Sequence, residues 1–205
     1  MPERAAHRAG KASIRRRPVN SALGVMMDIP KSHWNLLVPA PRGSLSEHEE
    51  SFEYAAAYLD SAIRLCGVLA RSYRRATYAR GAVVMYLAAH AVELFLKAAI
   101  LKKRADLRLG HHDFEQLNST YSGLYPEKRF RFTRTPFDVQ YLGMTKAEAR
   151  EAKKTAPSAD QLYRYPADKQ GKPWNAAVGI EPKSCLKWLR ELEEDFARLR
   201  AAYDA

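Results

Sequence analysis

The 205-residue sequence is poor in cysteine, with only Cys66 and Cys185, which match no metal-ligand spacing. This scarcity argues against a disulfide framework and predicts a reducing compartment, the cytoplasm. No apolar run approaches the ~20 residues that are needed to span a bilayer. The N-terminus is charged but lacks the apolar region of a secretory signal. We therefore expect a cytoplasmic protein without a membrane partner.

Several motifs that identify enzyme classes are also missing. The sequence contains no GxxxxGK[ST] or GxGxxG phosphate loop, no HExxH zinc motif and no nucleophile elbow. A metal site built from His90, His111, His112 and Asp113 lacks any supporting ligand spacing. The sequence thus predicts neither a cofactor nor a resident metal.

Positive charge is in excess, because 34 Lys and Arg against 23 Asp and Glu give a formal net charge of +11. Residues 1–20 hold six basic residues and only one acidic residue, Glu3, and predict a disordered basic tail. Such an excess favours anionic partners, most simply nucleic acid. A solvated, solubilising surface explains the charge equally well.

The spacing of apolar residues predicts a mainly α fold, an antiparallel helical bundle. The predicted helices span approximately residues 46–75, 77–104, 113–121, 145–154 and 182–203. Ser46 with Glu49 and Thr145 with Glu148 have capping-box spacing, which fixes two of the helix starts. The helix over 77–104 is apolar around much of its circumference, as is typical of the central helix of a bundle.

The remaining segments predict one helical domain over residues 46–205 that follows an irregular strap over 21–45. Residues 122–180 form a non-helical insertion, apart from the short helix at 145–154. Within it, the alternation over Lys128–Phe132 is typical of a short strand. Asp168–Gly171 has the composition of a turn between Tyr163–Tyr165 and Trp174, and predicts a short β-hairpin.

The second predicted helix carries a row of polar residues in an apolar setting: Tyr86, His90, Glu93 and Lys97. Steps of four, three and four residues place the row on one helix face. Leaving such groups buried without partners would cost roughly 1–3 kcal/mol each. The row therefore faces water or a cleft, or it meets other polar groups.

The segment Gly110–Asp113 is near enough in the chain to supply such groups, since a short loop can return it to the helix. It contains two adjacent histidines followed by an acid: His111, His112 and Asp113.

These two segments together, Ala89–Ala98 and Gly110–Leu117, resemble the HEPN-domain family (higher eukaryote and prokaryote nucleotide-binding). Many members pair a helix of the form His-x-x-Glu-x-x-x-Lys-Ala with a downstream Gly-His-Asp-Leu-x-x-Leu segment. The resemblance covers about residues 50–120. It implies an antiparallel bundle, often a homodimer, in toxin–antitoxin or phage-defence systems. Several such proteins are metal-independent ribonucleases that are paired with a nucleotidyltransferase-like antitoxin.

Ribonucleases of this family carry an Arg, four to six residues, and then a His. Arg104 and His111 have this spacing, although it crosses a predicted helix end, and His112 matches the family's Gly-His-Asp-Leu best. The resemblance implies a catalytic set of His90, Glu93, Lys97, Arg104, His111, His112 and Asp113. A histidine can take the 2′-hydroxyl proton or protonate the leaving oxygen, and a cation beside it stabilises charge at phosphorus.

A second basic feature interleaves aromatic residues with Arg129, Arg131 and Arg134. Aromatic rings can stack on bases while cations hold phosphates, so we consider these arginines as nucleic-acid-binding residues. An ordinary edge strand, with Phe130 and Phe132 on its core face, explains the same pattern.

Three hypotheses about function follow. The first is a protein that acts on or binds RNA, as a metal-independent ribonuclease of a prokaryotic defence or toxin–antitoxin system. The second is a non-catalytic helical module that binds a nucleotide, a nucleic acid or a protein through the same cleft. The third is a structural or regulatory protein in which His90, Glu93 and His112 form an internal hydrogen-bond network.

Overall fold

In this computed structural model, the described residues are 45–110, 112–134, 144–155, 157, 159–165, 167, 170–172 and 180–204. The predicted tail over 1–20, the predicted strap up to residue 44, and His111 lie outside the described residues. The described helices belong to one compact unit, Gly43–Ala205.

The described part of the chain is mainly α-helical, as predicted. Its α-helices are α1 (Glu47–Arg71), α2 (Tyr78–Lys103), α3 (Phe114–Leu124), α4 (Lys146–Thr155), α5 (Ala159–Arg164) and α6 (Pro182–Tyr203). Two 3-10 turns, Tyr73–Arg75 and Lys128–Phe130, follow α1 and α3. The first predicted helix is therefore slightly too long, because α1 ends at Arg71 and the next residues form the first of these turns.

Local side-chain bonds explain where the helices begin. The Ser46 backbone N–H donates to the Glu49 carboxylate at 2.7 Å, and the Thr145 N–H donates to Glu148 in the same way, at 2.7 Å. Both predicted capping boxes are thus present at the starts of α1 and α4. Asp113 caps α3, since its carboxylate accepts from the Glu115 and Gln116 backbone N–H groups.

Helices α1, α2 and α6 form the core of the bundle, and α1 runs antiparallel to both of the others. Glu53 near the start of α1 contacts Arg200 near the end of α6, at 2.8 Å. At the opposite end, the Cys66 thiol donates to the carbonyl of Pro182 at 3.3 Å. Phe95 of α2 lies in the centre, with its ring centroid 4.1 Å from that of Phe196.

Helix α2 is long and apolar enough to cross a membrane by length and composition alone, with a mean hydropathy of 1.7 over its most apolar window. Core helices of water-soluble proteins pass the same test. Within the bundle α2 contacts α1, α3, α5 and α6, and 61% of that window is buried. Its apolar surface is therefore largely covered by other helices of this chain.

The prediction of a non-helical segment over 122–180 is wrong. Helix α3 continues to Leu124, and both α4 and α5 fall inside the segment. Its short helix at 145–154 is confirmed. The proposed hairpin fails at its first strand, because Tyr163 and Arg164 lie in α5. Asp168, Lys169 and Trp174 of that hairpin lie outside the described residues.

The strand predicted at Lys128–Phe132 is wrong as well. Side chains from elsewhere in the chain, rather than a neighbouring strand, bond to the backbone carbonyls of this segment. Lys128–Phe130 forms a 3-10 turn. Arg198 of α6 donates to the carbonyls of Arg129 and Arg131, at 2.7 Å each. These bonds replace those of a neighbouring strand.

A buried carboxylate completes this attachment to α6. Asp195 is 4% exposed and accepts from the backbone N–H of Thr133 at 2.7 Å and from its hydroxyl at 2.8 Å. The Arg198 guanidinium donates to the same carboxylate at 2.7 Å. Asp195 and Arg198 thus hold the 128–134 segment against the bundle.

We expect Asp195→Ala to lower the free energy of unfolding by about 2–3 kcal/mol. The change removes the buried carboxylate that accepts from Thr133 and Arg198, and a hydrogen bond to a charged group contributes about 1.5–3 kcal/mol. Glu194→Ala is the matched control, since Glu194 is exposed on the same helix and a surface change costs within about 0.5 kcal/mol. Urea unfolding measures both values. Equal losses in the two variants would contradict the role given to Asp195.

Candidate functional site: a buried glutamate between two histidines and a lysine

The candidate site is centred on Glu93, a carboxylate in the middle of the apolar helix α2. Glu93 is only 3% exposed, although an isolated buried carboxylate is strongly unfavourable. Three of its neighbours supply the compensating donors or positive charge: Lys97, His112 and His90. The predicted convergence of α2 with the Gly110–Asp113 segment is therefore present.

The two shortest contacts go to the same carboxylate oxygen. Lys97 Nζ donates to Glu93 Oε1 at 2.7 Å, and His112 Nδ1 lies 2.7 Å from Oε1. His90 Nδ1 is 3.9 Å from the other oxygen, Oε2, which is ion-pair rather than hydrogen-bond distance. His112 reaches Glu93 because the chain turns back after α2, so that α3 starts beside the middle of that helix.

The three partners differ in their access to solvent. The side chain of Lys97 is 16% exposed and that of His90 is 28% exposed, whereas 64% of the His112 side chain is exposed. The cluster is therefore buried at the carboxylate and open at His112. A ligand in solvent can reach the imidazole without displacing the helix.

The electrostatics of the cluster keep Glu93 ionised. Burial by itself would raise the pKa of Glu93, but contacts from His90, Lys97 and His112 outweigh this effect and lower the pKa to about 2. Because the carboxylate is charged at neutral pH, it can hold His112 in a fixed orientation through the contact at Nδ1.

Aromatic rings surround His90 on its other sides. The ring of Tyr58, from α1, meets it edge-on with centroids 4.6 Å apart, and the ring of Tyr86 lies parallel to it at 6.1 Å. Arg164 of α5 lies 5.9 Å above the Tyr86 ring. These contacts restrain His90. Tyr58 was not predicted from the sequence, because nothing in the pattern of α1 marks it as a neighbour of α2.

A cleft of about 480 Å³ opens beside the cluster. Its wall includes Lys97 together with the returning loop, which contributes Asp106 and Arg108, and the start of α1, which contributes Glu47. Lys97 is thus shared by the cluster and the cleft. Sequence analysis missed Arg108, because only the path of the loop brings it to this wall.

Two other residues of the predicted catalytic set have different positions or roles. Arg104 caps the end of α2, about 16 Å along the helix axis from Glu93, and its guanidinium makes two bonds of 2.8 Å to Asp106. Asp113 is occupied in capping α3. The structure therefore brings His90, Glu93, Lys97 and His112 together, and it does not add Arg104 to them.

The three arginines predicted to bind nucleic acid lie on the 128–134 segment. Arg129 and Arg134 contact residues outside the Glu93 cluster. Arg129 pairs with Glu127 at 2.8 Å and lies over the Phe130 ring at 4.6 Å. Arg134 contacts Glu191 at 3.0 Å. Arg131 is exposed. Acidic neighbours thus already partner two of the three positive charges.

Comparison with known proteins gives no match: no protein family, no curated protein and no solved structure matches this chain. The resemblance to the HEPN family therefore stays a prediction. In the part of the chain that the structure describes, no group of three or more His, Cys, Asp or Glu side chains is arranged to hold a metal ion.

The lowered pKa of Glu93 makes a prediction about stability. Its folded-state pKa of about 2 lies below the ordinary 4.5. Its contribution to stability is therefore present above pH 4.5 and is lost as the pH falls toward 2, on the order of 3 kcal/mol in all. Glu93→Gln keeps the shape and removes the charge, so its stability deficit should be largest near neutral pH and shrink over that window.

Chemical unfolding at a series of pH values measures this difference. Glu50→Gln, an exposed change in the first turn of α1, serves as the control and should follow the wild-type curve. A deficit in Glu93→Gln that does not change with pH would show that the carboxylate is not held ionised as described.

Proposed function

We propose that this protein cleaves RNA without a metal ion, using His112 as the acid–base residue. The observation that carries the proposal is the pairing of an exposed imidazole with a buried carboxylate, His112 Nδ1 to Glu93 Oε1 at 2.7 Å. This bond leaves the second ring nitrogen, Nε2, for a substrate. A histidine that is oriented by a carboxylate is suited to proton transfer near neutral pH.

The chemistry that fits this arrangement is attack by the 2′-hydroxyl of RNA on the adjacent phosphorus. His112 Nε2 accepts the hydroxyl proton while the 2′-oxygen bonds to phosphorus and the bond to the 5′-oxygen breaks. The leaving oxygen takes a proton from His90 or from solvent. The products are a 2′,3′-cyclic phosphate and a 5′-hydroxyl, and Glu93 stabilises the imidazolium that forms.

The adjacent cleft contains two cations that could contact a phosphate. Lys97 and Arg108 both line it, beside the acids Glu47 and Asp106, and a cation near the scissile phosphate stabilises the charge that develops there. The overall net charge of +11 acts in the same direction by attracting polyanions. The role in a prokaryotic toxin–antitoxin or phage-defence system, the homodimer and the nucleotidyltransferase-like antitoxin are proposals that rest on the HEPN resemblance.

One observation favours the second hypothesis, a module that binds nucleotide, nucleic acid or protein without cleaving it. Arg104, the cation of the Arg-to-His spacing, is bonded to Asp106 and lies at the far end of α2. Lys97 is in turn bonded to Glu93. A binding site needs neither cation to be available at a scissile phosphate.

The test is incubation of the pure protein with total RNA, tRNA and a DNA of matched sequence in EDTA. We expect cleavage of RNA only, with 2′,3′-cyclic phosphate ends. His112→Ala should reduce the rate by about 10²–10⁴-fold, the usual contribution of a general acid or base. His90→Ala should also reduce it.

His48→Ala is the matched control, because His48 lies near the start of α1 and contacts Ser46 rather than Glu93. It should cleave as the wild type does. Cleavage that survives both His90→Ala and His112→Ala would rule out the proposed site. RNA binding without cleavage by the wild type would favour the binding module instead.

A further inference from the structure

The only two cysteines of the chain meet at one place, together with a methionine, at a point where three helices converge. Cys66 comes from the last turns of α1, Met85 from the first half of α2, and Cys185 from the first turn of α6. The Cys185 thiol lies against Met85, with 3.9 Å between the two sulfurs. The Cys66 thiol donates to the carbonyl of Pro182, three residues before Cys185 on α6, at 3.3 Å. The three sulfur-bearing residues thus lie where these helices meet.

We propose that Cys66, Cys185 and Met85 bind one monovalent copper ion, Cu(I). Thiolate and thioether sulfurs are soft ligands, and soft ligands select Cu(I) over harder divalent ions. The site is separate from the Glu93 cluster and does not depend on the proposed function.

The distance between the Cys185 and Met85 sulfurs fits two corners of a three-coordinate ion. Sulfur ligands lie about 2.3 Å from a first-row ion such as zinc, so that the corners of a planar three-sulfur site are about 4 Å apart. The 3.9 Å between Cys185 and Met85 matches this separation. Little rearrangement is therefore needed to bring both sulfurs onto one ion.

Two other uses of the same cysteines fit the geometry less well. Structural Zn²⁺ takes four ligands of Cys, His, Asp or Glu, and the described residues provide no group of three or more of these types. A disulfide would use the two thiols but would give Met85 no role. The thioether therefore distinguishes a copper site from both alternatives.

Binding is balanced by the release of protons. Cu(I) replaces the protons of the two thiols, so that each bound ion releases two protons and no electron is transferred. Cys66 itself is buried, but Cys185 and Met85 are half-buried and provide the route for the ion.

The test uses the full-length reduced protein under anaerobic conditions with Cu(I) supplied as its coloured bicinchoninate complex. We expect one equivalent of Cu(I) to move to the protein, and the copper X-ray absorption edge to report a first shell of sulfur only. Met85→Leu preserves the side-chain volume and should weaken Cu(I) binding about tenfold, which corresponds to about 1.4 kcal/mol. Cys66→Ser together with Cys185→Ser should abolish it.

Met144→Leu is the matched control, because Met144 is an exposed methionine before α4; it should bind Cu(I) as the wild type does. Circular dichroism checks the fold of each variant. If the double serine variant does not fold, the Cu(I) affinity of Met85→Leu and the copper X-ray absorption spectrum test the proposal. Failure of the reduced wild type to take up Cu(I), a first shell of nitrogen, or unchanged affinity in Met85→Leu would overturn the proposal. The proposal would also be overturned if the reduced protein takes up no Cu(I) and forms a Cys66–Cys185 disulfide in air.

Discussion

The structure of this protein depends on placing one carboxylate, Glu93, inside its most apolar helix. Neighbours of Glu93 on α2 such as Val92, Leu96 and Phe95 are at most 2% exposed. A charge in such surroundings must be paired and hydrogen-bonded, or it will be neutralised. Lys97 supplies one partner from the same helix, and the second, His112, requires the chain after α2 to return alongside it. The position of His112, just before the start of α3, meets this requirement.

A second buried carboxylate, Asp195, shows by contrast what a purely structural solution looks like. Its partners are the backbone and hydroxyl of Thr133 and the guanidinium of Arg198, which in turn bonds backbone carbonyls. All of these contacts join one part of the chain to another. Glu93 instead holds an imidazole of which 64% is exposed, beside a cleft. A titratable side chain that faces solvent, as His112 does, distinguishes the Glu93 cluster from the purely structural contacts of Asp195.

The periodicity of the sequence was sufficient for the long helices and for the polar row of α2, because both depend on contacts between residues a few positions apart. The convergence of His112 with Glu93 was also predictable, since a break at Gly110 and a short loop leave few other paths. The strand predicted over Lys128–Phe132 failed for the opposite reason. Its conformation is fixed by Arg198, Tyr121 and Asp195, and no local pattern records bonds that distant residues make to a backbone.

The position of Arg104 follows from the same distinction and bears directly on mechanism. The Arg-to-His spacing of the family specifies only a number of residues. In a straight helix each of those residues adds about 1.5 Å along the axis. Any cation at the end of α2 therefore lies far from a carboxylate in its middle, unless the intervening loop brings the cation back. The loop brings back His112 and, at the cleft wall, Arg108. If a second cation acts at this site within one chain, Arg108 is better placed than Arg104, because it shares the cleft with Lys97 whereas Arg104 is held by Asp106.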